Sequence, residues 1–585
     1  MKLLNVSTLF VLSIIYLSSC NEKINKKLSE NAGGTFSMCI AEAPSSFVPR
    51  NVTDVHSQMV LNQVFEGLVT FNPEDMKVRP QIASSWKVSQ DLLTYTFQIR
   101  KDIYFHPSDE FSLEERKLTL DDILFSFEKI AQKDAKGNPS AAYTSFFKGL
   151  IKGLDEYHEG KQKNISGIQM DKSKNTFSIT LTHADGNFLS KLSNINASIC
   201  SKKMCSLGRE DRMIGTGPFC YKGIENGIIP KIVLVKNEDY YLTDKKGEAL
   251  PYLNQVVFYI ENKKLNELEM FENGEIVFIS SLPTSRISAM LEGRLKDFNG
   301  APPLFILRNN PLLATNYYFF NMKDKRFSNK KVRQAFNYAI NKNKITQDVL
   351  KGQAYEDGIF GIVPPLSSYF RKYDFSALKN AAYQYNPVLA KKLLAEAGYP
   401  NGSGFGTVDL RINIGDLNSS VAEEIAKQIY TELGIQVNID ASSFDQKNED
   451  ANFLKGDLFR IAWFADYISP ESFLTNFYGK IVPSSLNEPS MINQSRYQNP
   501  TFDNLFEKAK NEENFTEQLI WYNKAEIELM KDPPFIPLWY NGDFQIVYSK
   551  VRNFHENPLN YIYLKEVYLK EWSKSEYEEF MKKNQ

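Results

Sequence analysis

Helix start and stop signals in the second half of the chain restrict the possible folds. The pair Asn386-Pro387 is typical of a helix N-cap and first turn, and Gly398 ends that helix. Another helix is predicted over Val421–Leu433, where Gly434 ends it before a strand at Ile435–Ile439. Helices that alternate with strands bury their apolar faces by packing in layers against a sheet. The sequence therefore predicts an α/β fold.

The first half contributes more strands. Leu92–Arg100 alternates apolar and polar residues as a half-buried strand does, and Thr119–Asp122 has the form of a capping box that opens a helix. Further strands are predicted at Thr35–Ala41, 174–182, 231–236 and 253–260, and further helices at Gln58–Phe65 and after Ser328 or Asn329.

Charge and histidine placement exclude several classes of protein. The 585 residues carry a formal net charge of -1 without basic blocks, which argues against nucleic acid as a partner. The five histidines are scattered without the spacing of a zinc site, so no metal or other cofactor is expected. An exported hydrolase would need a nucleophile and base, but the chain has no G-x-S-x-G and no clustered histidines. We therefore expect a protein that is not an enzyme.

The N-terminus predicts export. Lys2 precedes the apolar run Leu9–Leu17, which is too short to span a bilayer and has the flanks of a secretory signal. Leu17-Ser18-Ser19-Cys20 resembles a bacterial lipobox, which implies cleavage before Cys20 and acylation of its thiol. We expect a signal peptide at 1–19 and a lipid-anchored tether at 20–33; the alternative is an ordinary signal with an incidental cysteine.

Four cysteines remain after the expected cleavage. An exported location permits disulfides, and the sequence leaves both pairing and free buried thiols open. They are Cys39, Cys200, Cys205 and Cys220.

The apolar stretch F-R-I-A-W-F-A-D-Y at 459–467 contains two opposite charges, Arg460 and Asp466. Read as a strand, it places both on one face together with Ala462 and Phe464. Their alpha carbons would then be roughly 20 Å apart, against about 10 Å between the termini of an extended tripeptide. The long side chain of Arg460 can span much of the gap between these two lengths. The Asp466 carboxylate suits the ammonium group at the amino end of a peptide, and the Arg460 guanidinium suits the carboxylate at the other end.

The residues alone also allow a purely structural interpretation of these charges. Asp466 would cap the turn before Pro470, and Arg460 would pair with Asp457 or another surface acid.

Nine segments together resemble the extracytoplasmic solute-binding proteins of peptide ABC transporters, family 5. They occur in the family's order and span about residues 34–560. They are Phe65–Leu68, Ala83–Trp86, Tyr95–His106, Thr119–Ile123, Gly215–Phe219, Asn237–Tyr240, Val332–Ile340, Ala390–Tyr399 and Trp463–Tyr467.

This resemblance implies a two-lobed periplasmic-binding-protein-like fold of class II, the large peptide-binding type, with a subdomain inserted in the first lobe. The lobes would be joined by two crossing segments near Asn309–Asn316 and Pro533–Trp539. The implied boundaries are 34–70, 196–312 and 535–585 for lobe I, 71–195 for the inserted subdomain, and 313–534 for lobe II.

The resemblance also implies roles for individual residues. Asp466 would bind the peptide amino group, and Arg460 would bind the carboxylate of a short peptide. Backbone groups of 462–464 would pair with the peptide as an added strand. Further cleft residues implied in this way are Ala43, Pro44, Tyr317, Tyr318, Ala462, Trp463 and Phe464.

The expected function is capture of short peptides outside the cytoplasm and their delivery to the permease subunits of an ABC importer. We expect a monomer, anchored by lipid in the bacterial cell envelope and facing the periplasmic side. Two alternatives use the same fold: a non-peptide cargo such as a nickel complex, haem or a sugar, and a peptide-sensing receptor.

Overall fold

The computed structural model describes residues 27–280, 282, 287–355, 359–512 and 514–583. The expected signal peptide at 1–19 and the lipidation site Cys20 lie outside the described residues. The described end of the expected tether contacts the folded body, because Lys27 pairs with Glu248 at 3.3 Å and the Gly33 N–H donates to the Tyr252 carbonyl. Within these described residues, no helix is long and apolar enough to cross a membrane.

Nineteen strands occur in the described ranges, labelled in chain order. They are β1 (Thr35–Ile40), β2 (Val69–Phe71), β3 (Val78–Pro80), β4 (Ala83–Val88), β5 (Thr94–Ile99), β6 (Ile168–Asp171), β7 (Thr176–Thr180), β8 (Phe219–Glu225), β9 (Lys231–Lys236), β10 (Gln255–Ile260), β11 (Phe278–Ser280), β12 (Phe305–Phe320), β13 (Ala354–Tyr355), β14 (Val408–Asn413), β15 (Val437–Ser442), β16 (Leu458–Phe464), β17 (Phe535–Tyr548), β18 (Val551–Arg552) and β19 (Tyr568–Leu569).

The same ranges contain nineteen α-helices, labelled likewise. They are α1 (Val55–Leu61), α2 (Leu120–Ala131), α3 (Leu154–His158), α4 (Phe188–Leu192), α5 (Lys202–Ser206), α6 (Lys264–Glu272), α7 (Ile287–Gly293), α8 (Leu295–Asn299), α9 (Lys325–Ser328), α10 (Lys330–Ala339), α11 (Lys342–Lys344), α12 (Phe375–Ala381), α13 (Pro387–Glu396), α14 (Asp416–Leu433), α15 (Phe444–Asn452), α16 (Glu471–Leu474), α17 (Pro500–Lys510), α18 (Phe515–Lys531) and α19 (Lys574–Lys583).

Local signals explain where these elements begin and end. Thr119 Oγ1 accepts from the Asp122 N–H while the Asp122 side chain accepts from the Thr119 N–H, so the predicted capping box is confirmed. Asn386 caps α13 as expected. Gly434 ends α14 at a φ of +71°, where a Cβ would lie 2.4 Å from the Asn401 carbonyl oxygen. Only glycine fits there, so the helix ends and β15 starts after a turn, two residues later than predicted.

Three sheets define the architecture. The first lobe contains β1-β10-β9-β8, and the inserted subdomain contains the antiparallel sheet β4-β5-β7-β6. The third sheet runs β11-β17-β12-β16-β14-β15, with β13 on β17. The predicted α/β, two-lobed fold with a subdomain inserted in the first lobe is confirmed.

Two long antiparallel strands, β12 and β17, pair along most of their length in the third sheet. Phe305–Pro311 pairs with Gly542–Tyr548, and pairing resumes with Thr315 opposite Tyr540 after a break in register. Pro311 lies at this break, where its missing N–H costs no ladder hydrogen bond. The break is the place where the two paired strands can bend together.

The largest apolar core is shared by the inserted subdomain and the second lobe. It contains Phe97 of the insertion as well as Phe473 and Tyr522 of the second lobe. Phe146 and Tyr467 meet across this boundary with ring centroids 6.5 Å apart. The chain after β16 is therefore packed against the insertion.

All four described cysteines have free thiols. Cys205 Sγ lies 3.5 Å from Cys200 Sγ. Of the two states that the sequence leaves open, the structure has free thiols.

Candidate functional site

The charged stretch forms β16 and the bend that follows it. The strand ends at Phe464, so the prediction of one strand through residue 467 is wrong. The Ala465 N–H still donates to the Leu313 carbonyl oxygen of the neighbouring strand. The Asp466 N–H instead donates to Ser472 Oγ at 2.9 Å. Arg460, Ala462 and Phe464 share a strand face by alternation, whereas the bend determines where the Asp466 carboxylate lies.

The backbone of Asp466 is held at both polar groups. Its carbonyl oxygen accepts from the Tyr561 hydroxyl at 2.8 Å, in addition to the Ser472 contact of its N–H. Tyr561 belongs to the C-terminal segment, so groups far apart in sequence fix this bend.

The side chain of Asp466 is different. Among the described residues, none donates a hydrogen bond to its carboxylate, and no cation lies within ion-pair distance. Burial raises the pKa of Asp466 to about 7, because a desolvated carboxylate favours its neutral form. In the turn before Pro470, the Ser469 N–H donates to the Tyr467 carbonyl oxygen at 2.8 Å. The alternative in which Asp466 caps that turn is therefore not what the structure shows.

Arg460 is half-buried, and no acidic side chain pairs with it in the described part of the chain. Its guanidinium donates to two neutral acceptors, Asn413 Oδ1 at 2.9 Å and Asn316 Oδ1 at 3.2 Å. Burial lowers its pKa. The alternative partner Asp457 pairs instead with Arg326 at 2.8 Å. A guanidinium held only by amides retains donor capacity for a carboxylate.

One edge of β16 is open next to these charges. β12 pairs with β16 from Ala314 opposite Phe464 to Phe320 opposite Leu458. On the other side, β14 pairs only at Leu458 and Phe459, and no other described strand takes its place. Residues 460–464 therefore present an unpaired strand edge, the template that an extended peptide needs. Trp463 adds a buried indole N–H without a described acceptor.

Tyr317 and Tyr318 lie in the interior. Tyr317 packs against Phe477 and Phe535, with ring centroids 6.0 and 5.7 Å away. Tyr318 is the register partner of Arg460, and its buried hydroxyl has no described partner. Tyr318 is thus next to the charged stretch, whereas the Tyr317 ring belongs to the core.

The segment after β1 approaches the second lobe. Ala43 is exposed and Pro44 is buried. The neighbouring Glu42 has a raised pKa, first through burial and then through the negative charges of Asp445 and Asp54. Asp445 lies in the first turn of helix α15, so the segment after β1 is close enough to that helix for its charge to act on Glu42.

A buried ion cluster fixes the chain just beyond Asp466. Lys191 Nζ of the inserted subdomain lies 2.7 Å from Asp185 Oδ2 and 3.0 Å from Glu471 Oε1. Burial favours neutral lysine, but the two carboxylates outweigh it and raise the pKa of Lys191. The insertion therefore contacts the 467–472 segment through this buried ion cluster.

The sequence reasoning missed Asn413 and Lys447. Asn413 ends β14 beyond the residues of that strand that pair with β16, and its side chain contacts Arg460. Lys447 is buried on α15, a helix whose composition is polar. Its position between Phe444 and Ala451, on the face with spacing i, i+3 and i+7, is a signal that could have identified it.

The sequence profile of the bacterial extracellular solute-binding proteins, family 5, matches residues 77–482 of the chain. The chain belongs to this family. Proteins of family 5 are extracytoplasmic binders for transport and not enzymes, so this chain belongs to a family of binding proteins.

Individual relatives cover nearly the whole chain. It is 27% identical to heme-binding protein A of Haemophilus influenzae, over 96% of this chain and 98% of that protein. It is 25% identical to the periplasmic oligopeptide-binding protein OppA of Salmonella typhimurium, over 90% of each. Among solved structures, DppA of Helicobacter pylori in complex with the peptide STSA superposes with a TM-score of 0.78 at 25% identity, covering 92% of this chain and 99% of that one.

Proposed function

We propose that this family 5 protein binds short peptides with a free amino terminus and delivers them to the permease of an ABC importer. The observation that carries the proposal is the Asp466 carboxylate, which is half-buried and accepts no hydrogen bond from any described residue. An unpaired buried charge is costly, and a ligand ammonium group would offset that cost.

In this proposal the peptide lies as an added strand along the open edge of residues 460–464. Its backbone would pair with β16, which provides affinity independent of side-chain identity. Its amino terminus would reach Asp466, and Arg460 would form a bidentate pair with the carboxylate of a short peptide. Trp463 and Phe464 would line the slot, with Ala43 and Pro44 on the side of the first lobe.

Binding would couple to closure of the lobes, because ligand contacts come from both. We propose lobe I at 34–70, 196–312 and 535–585, the insertion at 71–195, and lobe II at 313–534. The register break at Pro311 in the paired crossing strands supports a hinge there. The Lys191 ion cluster and the Tyr561 contact would re-form at each closure.

The proposal also includes a lipid anchor. Cleavage after residue 19 and acylation of Cys20 would tether a monomeric binding protein to the membrane on its extracytoplasmic side. Metabolic labelling with a fatty acid tests this, because the label should disappear in Cys20→Ser.

A relative named heme-binding protein A makes haem the main competing cargo. Asp466 favours a ligand with a free amine, which haem lacks. Mass spectrometry of the ligand that copurifies with the protein separates the two. We expect peptides of about two to five residues; copurified haem and no peptide binding in calorimetry would overturn the proposal.

A further inference from the structure

A second cation, Lys447, lies on helix α15, which packs on β14, the strand that pairs with the strand of Arg460. The Lys447 side chain is only 2% exposed, although it belongs to the polar helix α15. Its ammonium group lies 5.3 Å from the centroid of the Phe444 ring and donates to Asn448 Oδ1. Helix α15 packs on β14, the strand whose last residue, Asn413, contacts Arg460.

These two cations have no acidic partner among the described residues. The acids of α15 are directed elsewhere: Glu449 and Asp450 lie 3.7 and 4.0 Å from Lys455, an exposed lysine. The negative charge of Asp445 acts on Glu42, whose pKa it raises. Burial, and after it the positive charge of Arg460, lowers the pKa of Lys447 to about 7. Each cation therefore makes the other more costly to bury.

Two poorly solvated cations, one on β16 and one on the helix that packs on its neighbour β14, fit an anion with two charges better than a single carboxylate. A single C-terminal carboxylate would neutralise Arg460 and leave Lys447 uncompensated. A peptide that ends in aspartate or glutamate provides a second carboxylate a few bonds from the first. Hydrogen bonds between charged groups in a desolvated site are the strongest that a protein makes.

We propose that Lys447 and Arg460 form a dianion subsite, so that the preferred cargo is a short peptide with an acidic carboxyl-terminal residue. This inference rests on the proposed peptide-binding function, with Arg460 holding the main-chain carboxylate. Lys447 holds the side-chain carboxylate and is the residue that determines specificity.

The test compares two peptides that differ only in charge, Ala-Ala-Glu and Ala-Ala-Gln, by calorimetry with the ligand-free protein. We expect the glutamate peptide to bind about 10-fold to 100-fold more tightly. In Lys447→Met, which keeps the length of the side chain without its charge, the two affinities should agree within about threefold. Lys455→Met is the matched control, because Lys455 is 54% exposed, and it should keep the preference.

The outcomes separate this inference from the function on which it rests. If both peptides bind the unmodified protein with equal affinity, the dianion subsite is overturned and peptide binding stands. The same holds if Lys447→Met keeps the glutamate preference. If neither peptide binds, both proposals fail. Lys447→Gln, which retains a polar head group, checks that any loss in the Met variant is due to the missing charge.

Discussion

Replacing Asp466 with asparagine should stabilise the ligand-free protein while it weakens peptide binding. Asparagine has the same shape but no charge to desolvate. Burial raises the pKa of Asp466 from 3.8 to about 7. At about 1.4 kcal/mol per unit, this shift corresponds to at most about 4 kcal/mol of folding free energy.

The sign of this effect depends on pH. Because the pKa is higher in the folded state, the carboxyl group costs nothing while it is protonated in both states, well below the unfolded pKa of 3.8. The cost grows as the pH rises to 7 and is constant above that value. Asp466→Asn should therefore be more stable than the unmodified protein by up to about 4 kcal/mol at pH 7.5, and by roughly 0.5 kcal/mol at pH 4.

Urea unfolding of the ligand-free proteins at the two pH values measures this difference. Asp121→Asn is the matched control, since that carboxylate is 45% exposed and pairs with Lys172; its effect should stay below about 1 kcal/mol at both pH values. In the same variants, peptide affinity should fall at least about 100-fold in Asp466→Asn and stay unchanged in the control. A stability gain that is absent or independent of pH would refute the reasoning.

Three further predictions follow from the charges of the site. Affinity for a neutral tripeptide should fall up to about tenfold per pH unit below 7, because Asp466 must lose its proton to bind an ammonium group; equal affinities at pH 5 and 7 in calorimetry would contradict this. Amidation of the peptide carboxyl terminus should weaken binding about tenfold or more in the unmodified protein and have little effect in Arg460→Met. Lys191→Met leaves Asp185 and Glu471 buried without their cation and should cost about 3–5 kcal/mol in urea unfolding. Lys172→Met removes the cation of an exposed pair and should cost less than about 1 kcal/mol of unfolding free energy. Equal costs for the two variants would contradict a stabilising role for the buried cluster.

The parts of the fold that could be predicted from the sequence are those determined by local chemistry. The capping box at Thr119, the N-cap Asn386 and the stop at Gly434 act within a few residues, so their positions can be read directly. Strand β9 coincides with its predicted range because its continuous apolar run, Ile232–Val235, has a lysine on each side.

Features that depend on distant contacts could not be predicted in this way. Asp466 lies in a bend because Tyr561 and Ser472 hold its backbone, and Tyr561 is 95 positions further along the chain. Glu471 meets Lys191 across 280 positions. Residue type and motif order indicated which charges matter, whereas the tertiary structure determines which of them are without partners.

The central claim is that Asp466 binds a peptide ammonium group. The most direct test is calorimetry with one tripeptide in two forms, with a free and with an acetylated amino terminus, at pH 7.5. Acetylation removes the charge that Asp466 would pair with and changes little else. We predict that affinity falls at least about 100-fold on acetylation. Equal affinity for the two forms would contradict the assigned role of Asp466.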